Sequence, residues 1–325
     1  MLISLGIETT AHTFGVAFVN DKGEVLSNVK SVYTPKEGGI HPREASKHHY
    51  EVAVGVLRKA KEEAKVKMED VAVVAFSRGP GLGPCLRAGA TLARAVALKF
   101  KKPLVGVNHA VAHLEIGYLK SGARDPVFLY VSGGNTQIIS KVGDKYVVFG
   151  ETEDIAIGNL LDAFARSAGL PFPGGPKIMN LAKNGKKLIK LPYVVKGMNV
   201  SFSGTLTAAE KLIGKESIED LAYSLQETSF AMLLEATERA MAYLKKEELV
   251  IAGGVGANER LREMARTMCE ERGARFLDYP TEYYGDNGAM IAWTGLKQYL
   301  FGDTISVEES KVLVRFRIDD VRIPW

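Results

Sequence analysis

The chain has 325 residues, 46% hydrophobic and 25% charged, with 42 Lys and Arg against 38 Asp and Glu. These averages exclude disordered, collagen-like and coiled-coil classes, and at about 150 residues per domain the length allows two domains. Two cysteines, Cys85 and Cys269, are too few for a disulfide scaffold or a sulfur-rich zinc site and point to a reducing, cytoplasmic compartment, while a net charge of +4 permits a nucleic-acid partner without demanding one.

Met1 to Ile7 carries no basic flank and no cleavage site and reads as a first strand. No apolar run approaches the roughly 18 residues of a membrane span, so no membrane is expected. Residues 2–31 form a three-stranded meander: LISLGIE, the turn Thr9-Thr10-Ala11, HTFGVAFVN, the turn Asp21-Lys22-Gly23, and EVLSNVKSV. A helix at 42–65 follows, then the strand VAVVAFS (71–77), the turn Gly79-Pro80-Gly81, a helix at 85–100, the strand PLVGVN and a helix at 109–120.

The same grammar returns from 126 to 153, with VFLYVS, Gly133-Gly134-Asn135, TQIISKV, Gly143-Asp144-Lys145 and YVVFGET. Helices near 155–169, 176–184, 205–213 and 217–246 come next. The strand LVIAGG (249–254), the turn Val255-Gly256-Ala257-Asn258, a helix at 259–272 and the strand ARFLDY close the second copy. An internal repeat of this kind predicts an α/β fold with mixed sheets in two lobes, 1–124 and 125–325, the second with a helical insertion. The turn signals of Gly122 to Pro126 mark the boundary.

A duplicated meander with glycine turns facing a cleft resembles the actin, heat-shock ATPase and sugar-kinase (ASKHA) superfamily, whose cleft binds a nucleotide. Glycine-rich strand ends let backbone N–H groups approach phosphate oxygens. Three such stretches are present: Ser132-Gly133-Gly134-Asn135, Gly174-Gly175-Pro176, and Gly253 to Asn258. There is no GxxxxGK[ST] loop, and the GxG at 254–256 lacks the rest of a dinucleotide fingerprint.

All six histidines fall within the first 113 residues. His109 and His113 are four apart on a predicted helix, so they share a face at a spacing that suits two imidazoles on one metal, with Tyr130 and Asp286 as candidate further ligands. The HExxH pattern of zinc proteases is absent, since Ala110 stands where the general base would be. His41, His48 and His49, in GGIHPREASKHHYE, serve equally well as a polar helix start after Pro42 or as a basic surface for a polyanion.

Over its whole length the chain resembles the catalytic subunit of the tRNA threonylcarbamoyladenosine synthase, a family once labelled O-sialoglycoprotein endopeptidases. The resemblance is carried by GIETTAHTFGVAFV, SRGPGLGPCLRAGATLARAVA, VGVNHAVAHLEIG, YVSGGNTQI, GNLLDAFAR with LPFPGGPKI, VSFSGTLTA, IAGGVGANERLR and YGDNGAMIAWTG. AHT after Glu8-Thr9-Thr10, together with NHAVAH, is similar to the archaeal and eukaryotic branch, which works in the KEOPS assembly beside a small protein kinase and a small dimerising subunit.

The resemblance implies transfer of a threonylcarbamoyl group from threonylcarbamoyl-AMP to N6 of adenosine 37, in tRNAs reading codons that begin with A. It implies one divalent metal per subunit, iron or zinc, on His109, His113, Tyr130 and Asp286. Tyr130, Val131, Ser132, Gly133 and Gly134 would contact the adenylate or ATP, Asp162 would lie near the ribose, and Gly175 and Asn258 would line the pocket. His12 or Glu8 would accept the proton of the attacking amine. Met179 stands where the family usually carries Glu, so adenylate binding is expected to be weaker at that edge or compensated by Lys177 or Asn180. An ATPase or small-molecule kinase on the same fold, and a nucleotide-dependent scaffold, are the competing readings.

Overall fold

The structure, a computed structural model, describes residues 1–35 and 39–325; Gly38, the first residue of the histidine segment, lies outside them. Strands β1 (Ile3–Glu8), β2 (Thr13–Asn20) and β3 (Val25–Val32) form the first meander. Helix α1 (Pro42–Ala64), β4 (Val71–Gly79), α2 (Gly83–Phe100), β5 (Leu104–Asn108) and α3 (His109–Ser121) follow. The second meander is β6 (Val127–Val131), β7 (Thr136–Val142) and β8 (Lys145–Glu151). The insertion comprises α4 (Ile157–Ser167), α5 (Gly174–Ala182), the short hairpin β9 (Val195–Lys196) and β10 (Asn199–Val200), α6 (Ser203–Glu210) and α7 (Ile218–Leu244). Then come β11 (Glu248–Ala252), α8 (Glu259–Glu271), β12 (Arg275–Phe276) and α9 (Gly288–Leu300).

The two five-stranded sheets have matching orders, β3-β2-β1-β4-β5 and β8-β7-β6-β11-β12. In each, the meander pairs are antiparallel and the two later strands add in parallel. The last strand of the second sheet is shorter than ARFLDY suggested, with only Arg275 and Phe276 paired.

Strand alternation sets the layers of the first sheet. Leu5, Ile7, Phe14, Val16, Phe18, Val74 and Phe76 share one core with α1 and α2. Their neighbours on the opposite face are small, among them Gly6, Gly15, Ala17 and Ala75, and α9 lies on that face. Contact is tight enough that a Cβ on Gly6 would stand 2.2 Å from the Ala292 nitrogen, and one on Gly295 2.2 Å from the Ala75 Cβ. Helix α3 packs beside α9 and against β11 and β6, so these two helices form a shared layer between the sheets.

Sequence patterning assigned no element beyond 279, yet α9 is the helix that joins the lobes. A cut at 124 therefore separates the sheets but not their helices, because α9 follows β12 and packs on β1, β2 and β4. Among the described residues no helix is long and apolar enough to cross a membrane.

Candidate functional site

The site lies where α3 and α9 begin. Asn108 caps α3 by accepting from the Val111 amide, and Asn287 caps α9 by accepting from the Met290 amide. His109 is the first residue of α3, His113 is one turn on, and Asp286 immediately precedes the α9 cap. Asp286 Oδ1 lies 3.3 Å from His113 Nε2 and 3.6 Å from His109 Nε2. Donors bound about 2.0–2.2 Å from one ion stand roughly 3–3.5 Å apart, so this spacing fits a single divalent cation.

Tyr130, at the end of β6, is fully buried with its ring 5.5 Å from that of His113. Its hydroxyl has no hydrogen-bond partner among the described residues. A buried phenol left unpaired is costly, and coordination would satisfy it. His109, His113 and Asp286 thus converge, with the Tyr130 ring beside His113.

Burial works against charge on His109, but the carboxylates of Glu8 and Asp286 outweigh it and raise its pKa to about 9. Burial and the neighbouring His109 hold His113 below the ordinary imidazole value, toward the neutral form that binds metals. Partial burial of Asp286 favours its neutral form, yet the hydrogen bond from His113 and the charge on His109 hold its carboxyl well below the usual range.

Glu8 takes a different role from the proton acceptor expected of it. It is fully buried at the end of β1, and its Oε1 accepts from both the Thr10 amide and the Thr10 hydroxyl at 2.6 Å. Its Oε2 accepts from His109 Nδ1 at 3.0 Å. Shut off from the cleft, Glu8 fixes the His109 tautomer and turns Nε2 toward Asp286, as outer carboxylates do for metal-ligating histidines. Glu8→Gln cannot accept from both Thr10 and His109, so divalent-metal affinity should fall about 10–100-fold. Competition titration against a chelator checks this, and unchanged affinity would refute the assignment.

The turn after β1 is held from several sides. Thr9 donates its amide to Ser77 Oγ at 2.9 Å, and Leu82 donates to the Thr10 carbonyl at 2.8 Å. His49 Nε2 lies 3.0 Å from the Ala11 carbonyl, and burial lowers its pKa to about 4. A neutral, buried His49 is a brace for this turn and no part of a polyanion surface. His48 is half-buried against Ser31 Oγ at 3.0 Å, while His41 is exposed.

His12 is half-buried, with its ring edge-on to Phe172 at 5.9 Å. It lies within electrostatic range of both Asp286 and Asp162. A cleft of about 500 Å³ opens there, lined by Ile40, Gly133, Asp162, Arg166, Phe172 and Gly174 among others. A Cβ on Gly133 or Gly134 would meet no protein atom within 4 Å, so nothing in the fold demands glycine there and the space suits an approaching ligand. Val131 is buried, and Ser132 Oγ accepts from the Asn135 amide at 3.0 Å, which fixes this turn.

Asp162 accepts from the Gly174 amide at 2.7 Å, and burial raises its pKa. Gly174 rather than Gly175 lines the cleft. Asn258 does not: its Oδ1 caps α8 through the Arg260 and Leu261 amides, and its Nδ2 donates to Gln226 at 2.9 Å. On α5 Met179 is half-buried, whereas Lys177 and Asn180 are exposed.

Fold and site together define an actin-like, two-lobed α/β protein with a histidine–carboxylate cluster where α3 and α9 begin. Over residues 24–293 the chain matches the TsaD family, described as tRNA N6-adenosine threonylcarbamoyltransferase. The chain belongs to this family. Relatives so named in Thermococcus kodakarensis and Archaeoglobus fulgidus are each 56% identical over the full length of both chains. A Methanosarcina mazei protein, named a probable bifunctional tRNA threonylcarbamoyladenosine biosynthesis protein, is 55% identical over 99% of this chain and 59% of its own length.

Two solved structures share the fold at low identity. HypF of T. kodakarensis superposes with a TM-score of 0.65 and 16% identity, covering 93% of this chain and 48% of that one. Component A of the (R)-2-hydroxyglutaryl-CoA dehydratase of Acidaminococcus fermentans gives 0.58 and 12%, covering 92% and 100%.

Proposed function

We propose that this protein transfers a threonylcarbamoyl group from threonylcarbamoyl-AMP to N6 of adenosine 37 in tRNAs reading codons that begin with A. The observation that carries the reading is the presence, in a family member, of the His109–His113–Asp286 cluster beside the unpaired Tyr130, together with the glycine-bordered pocket at Asp162. His109, His113, Asp286 and Tyr130 would hold one divalent metal, iron or zinc, which supplies Lewis-acid polarisation when bound.

The chain's own groups account for the remaining demands. In the reaction the adenosine amine attacks the carbamoyl carbon, a C–N bond forms, the C–O bond to AMP breaks and the amine loses a proton. AMP leaves as an anion without protonation. Backbone N–H groups at the Gly133–Gly134 turn and the N-termini of α3 and α9 present positive dipole ends to that phosphate. Asp162 borders the cleft where a ribose hydroxyl would bind. With Glu8 enclosed, His12 would accept the proton, a role that imidazole side chains commonly take in general acid–base catalysis.

A kinase reading needs a free acid at a strand end to bind magnesium; Glu8, already bonded to Thr10 and His109, does not supply it. tRNA contacts would come from exposed basic residues. Lys183 and Lys187 are ion-paired to Glu259 and Glu216, which leaves Arg43, Lys47, Arg87 and Lys186 as the stronger candidates. A cytoplasmic KEOPS-type assembly, with its small kinase and small dimerising subunit, is the partner set we infer.

Mass spectrometry of tRNA incubated with the protein and threonylcarbamoyl-AMP, with and without partner subunits, tests the activity. The modified nucleoside is expected, and its absence under both conditions would overturn the reading. In single-turnover assays His12→Ala should slow transfer about 100-fold or more, the lower end of general acid–base contributions. A near-normal rate removes His12 from the mechanism.

A further inference from the structure

Residues 304–325 follow α9 and run from one sheet to the other. On the first lobe, Ile305 donates its amide to the Leu104 carbonyl at 2.9 Å, adding to the free edge of β5. Arg94 Nε donates to Ser310 Oγ at 2.7 Å, and Arg78 donates to the carbonyls of Glu309 and Lys311 at 2.9 and 3.0 Å. The Leu313 amide returns a bond to the Arg78 carbonyl at 2.8 Å. On the second lobe Arg322 pairs with Asp144, Ile323 donates to the Asp144 carbonyl at 2.7 Å, and the Trp325 carbonyl accepts from Lys141. Ile318 and Ile323 are buried in the core that contains β6 and β11.

Between these two sets of anchors the segment is hydrogen-bonded to the start of α3 through Asn108. Asn108 is 2% exposed, and its Nδ2 donates to the carbonyls of Phe316 at 3.1 Å and Arg317 at 3.3 Å. Its Oδ1 accepts from the Val111 amide at 3.1 Å and so caps the helix that begins with His109. An amide has one acceptor and one donor end, and here each end is committed to a different body. The bonds to the segment select one side-chain rotamer, and that rotamer sets the direction in which the first turn of α3 leaves β5.

We propose that residues 304–325 are a tether that fixes the His109–His113 pair through Asn108, making Asn108 a positioning residue of the site. The inference rests on the reading that these histidines hold a metal. It differs from an ordinary capping role: a cap alone needs only the acceptor, whereas the tether needs the donor as well. Serine caps a helix as well as asparagine but cannot span to the Phe316 and Arg317 carbonyls.

The test compares the full-length wild type with Asn108→Ser and Asn108→Ala. Cobalt(II) affinity is read from ligand-field absorption, helix content from circular dichroism, and tail protection from amide hydrogen exchange. The Ser variant should keep its helix content, exchange faster across 313–323 and bind cobalt about tenfold more weakly, the lower end for outer-shell partners. The Ala variant should lose at least as much. Wild-type cobalt affinity in the Ser variant overturns the tether. Failure of the wild type itself to bind cobalt overturns instead the metal reading beneath it. Should the Ser variant not fold, Arg94→Ala, which unpins the segment at Ser310 away from the histidines, must shift exchange and cobalt affinity in the same directions, and no shift refutes the proposal.

Discussion

Replacing Asp286 by Ala should abolish tight metal binding and slow threonylcarbamoyl transfer about a thousandfold, the equivalent of several kcal/mol of Lewis-acid stabilisation. One carboxylate oxygen of Asp286 faces both histidine Nε2 atoms, and no other carboxylate among the described residues is grouped with them. The fold should survive, because Asn287 rather than Asp286 caps α9. Metal content by elemental mass spectrometry and single-turnover transfer to tRNA are the readouts. If the variant lost its metal but modified tRNA at the wild-type rate, the metal centre would not be catalytic, and the nucleotide-dependent scaffold would become the better reading.

Gly6→Ala should be strongly destabilising. The new Cβ would fall 2.2 Å from the Ala292 nitrogen and 2.4 Å from the Gly288 carbonyl oxygen. Both are backbone atoms of α9, so no side chain can rotate away, and the helix itself must lift off the sheet. Overpacking costs roughly 1–3 kcal/mol and occasionally more. At the upper end, the midpoint of thermal unfolding should drop by about 5–10 °C. Gly133→Ala is the control: with open space at its Cβ it should change stability by less than about 0.5 kcal/mol, while its methyl group obstructs the cleft and weakens donor binding. Equal stability of the two variants would show that α9 does not press on β1 as described.

The meanders were legible in the sequence because a half-covered strand must alternate and its turns need Gly, Asn or Asp. In β2, Phe14, Val16 and Phe18 alternate with the small Gly15 and Ala17, and that difference in size separates the α1–α2 face from the α9 face. Helix α9 escaped notice for a related reason. GAMIAWTGLKQYL is covered on most sides, so it has little polar stripe to mark its period, and its two glycines argue against a helix until the sheet beneath them is seen. The usable signal was Asn287, a good cap standing before an apolar run.

Within the site, His109 and His113 show in the sequence because they are four residues apart. Tyr130 and Asp286 are distant in the chain, and no spacing ties them to the pair. Glu8 was misread because its partner His109 is 101 positions away, and a carboxylate at a strand end looks free until that contact is known. Asn258 was assigned to the pocket although its place before Glu259-Arg260-Leu261 already carried the mark of a helix cap.

The matching sheet orders have a consequence for how the donor set is held. β5 runs into α3 as β12 leads on to α9, so the two helices are equivalent elements of the two copies. The first copy gives both histidines and the second gives Tyr130 and Asp286. In space the split is crossed: α9, which follows Asp286, packs on β1, β2 and β4, while α3, which begins with His109, packs on β6 and β11. A cation held by His109, His113 and Asp286 would therefore pin the two helices of the shared layer together. At a free-ion concentration a hundred times the dissociation constant, that arrangement would gain about 2.7 kcal/mol over any arrangement that cannot bind.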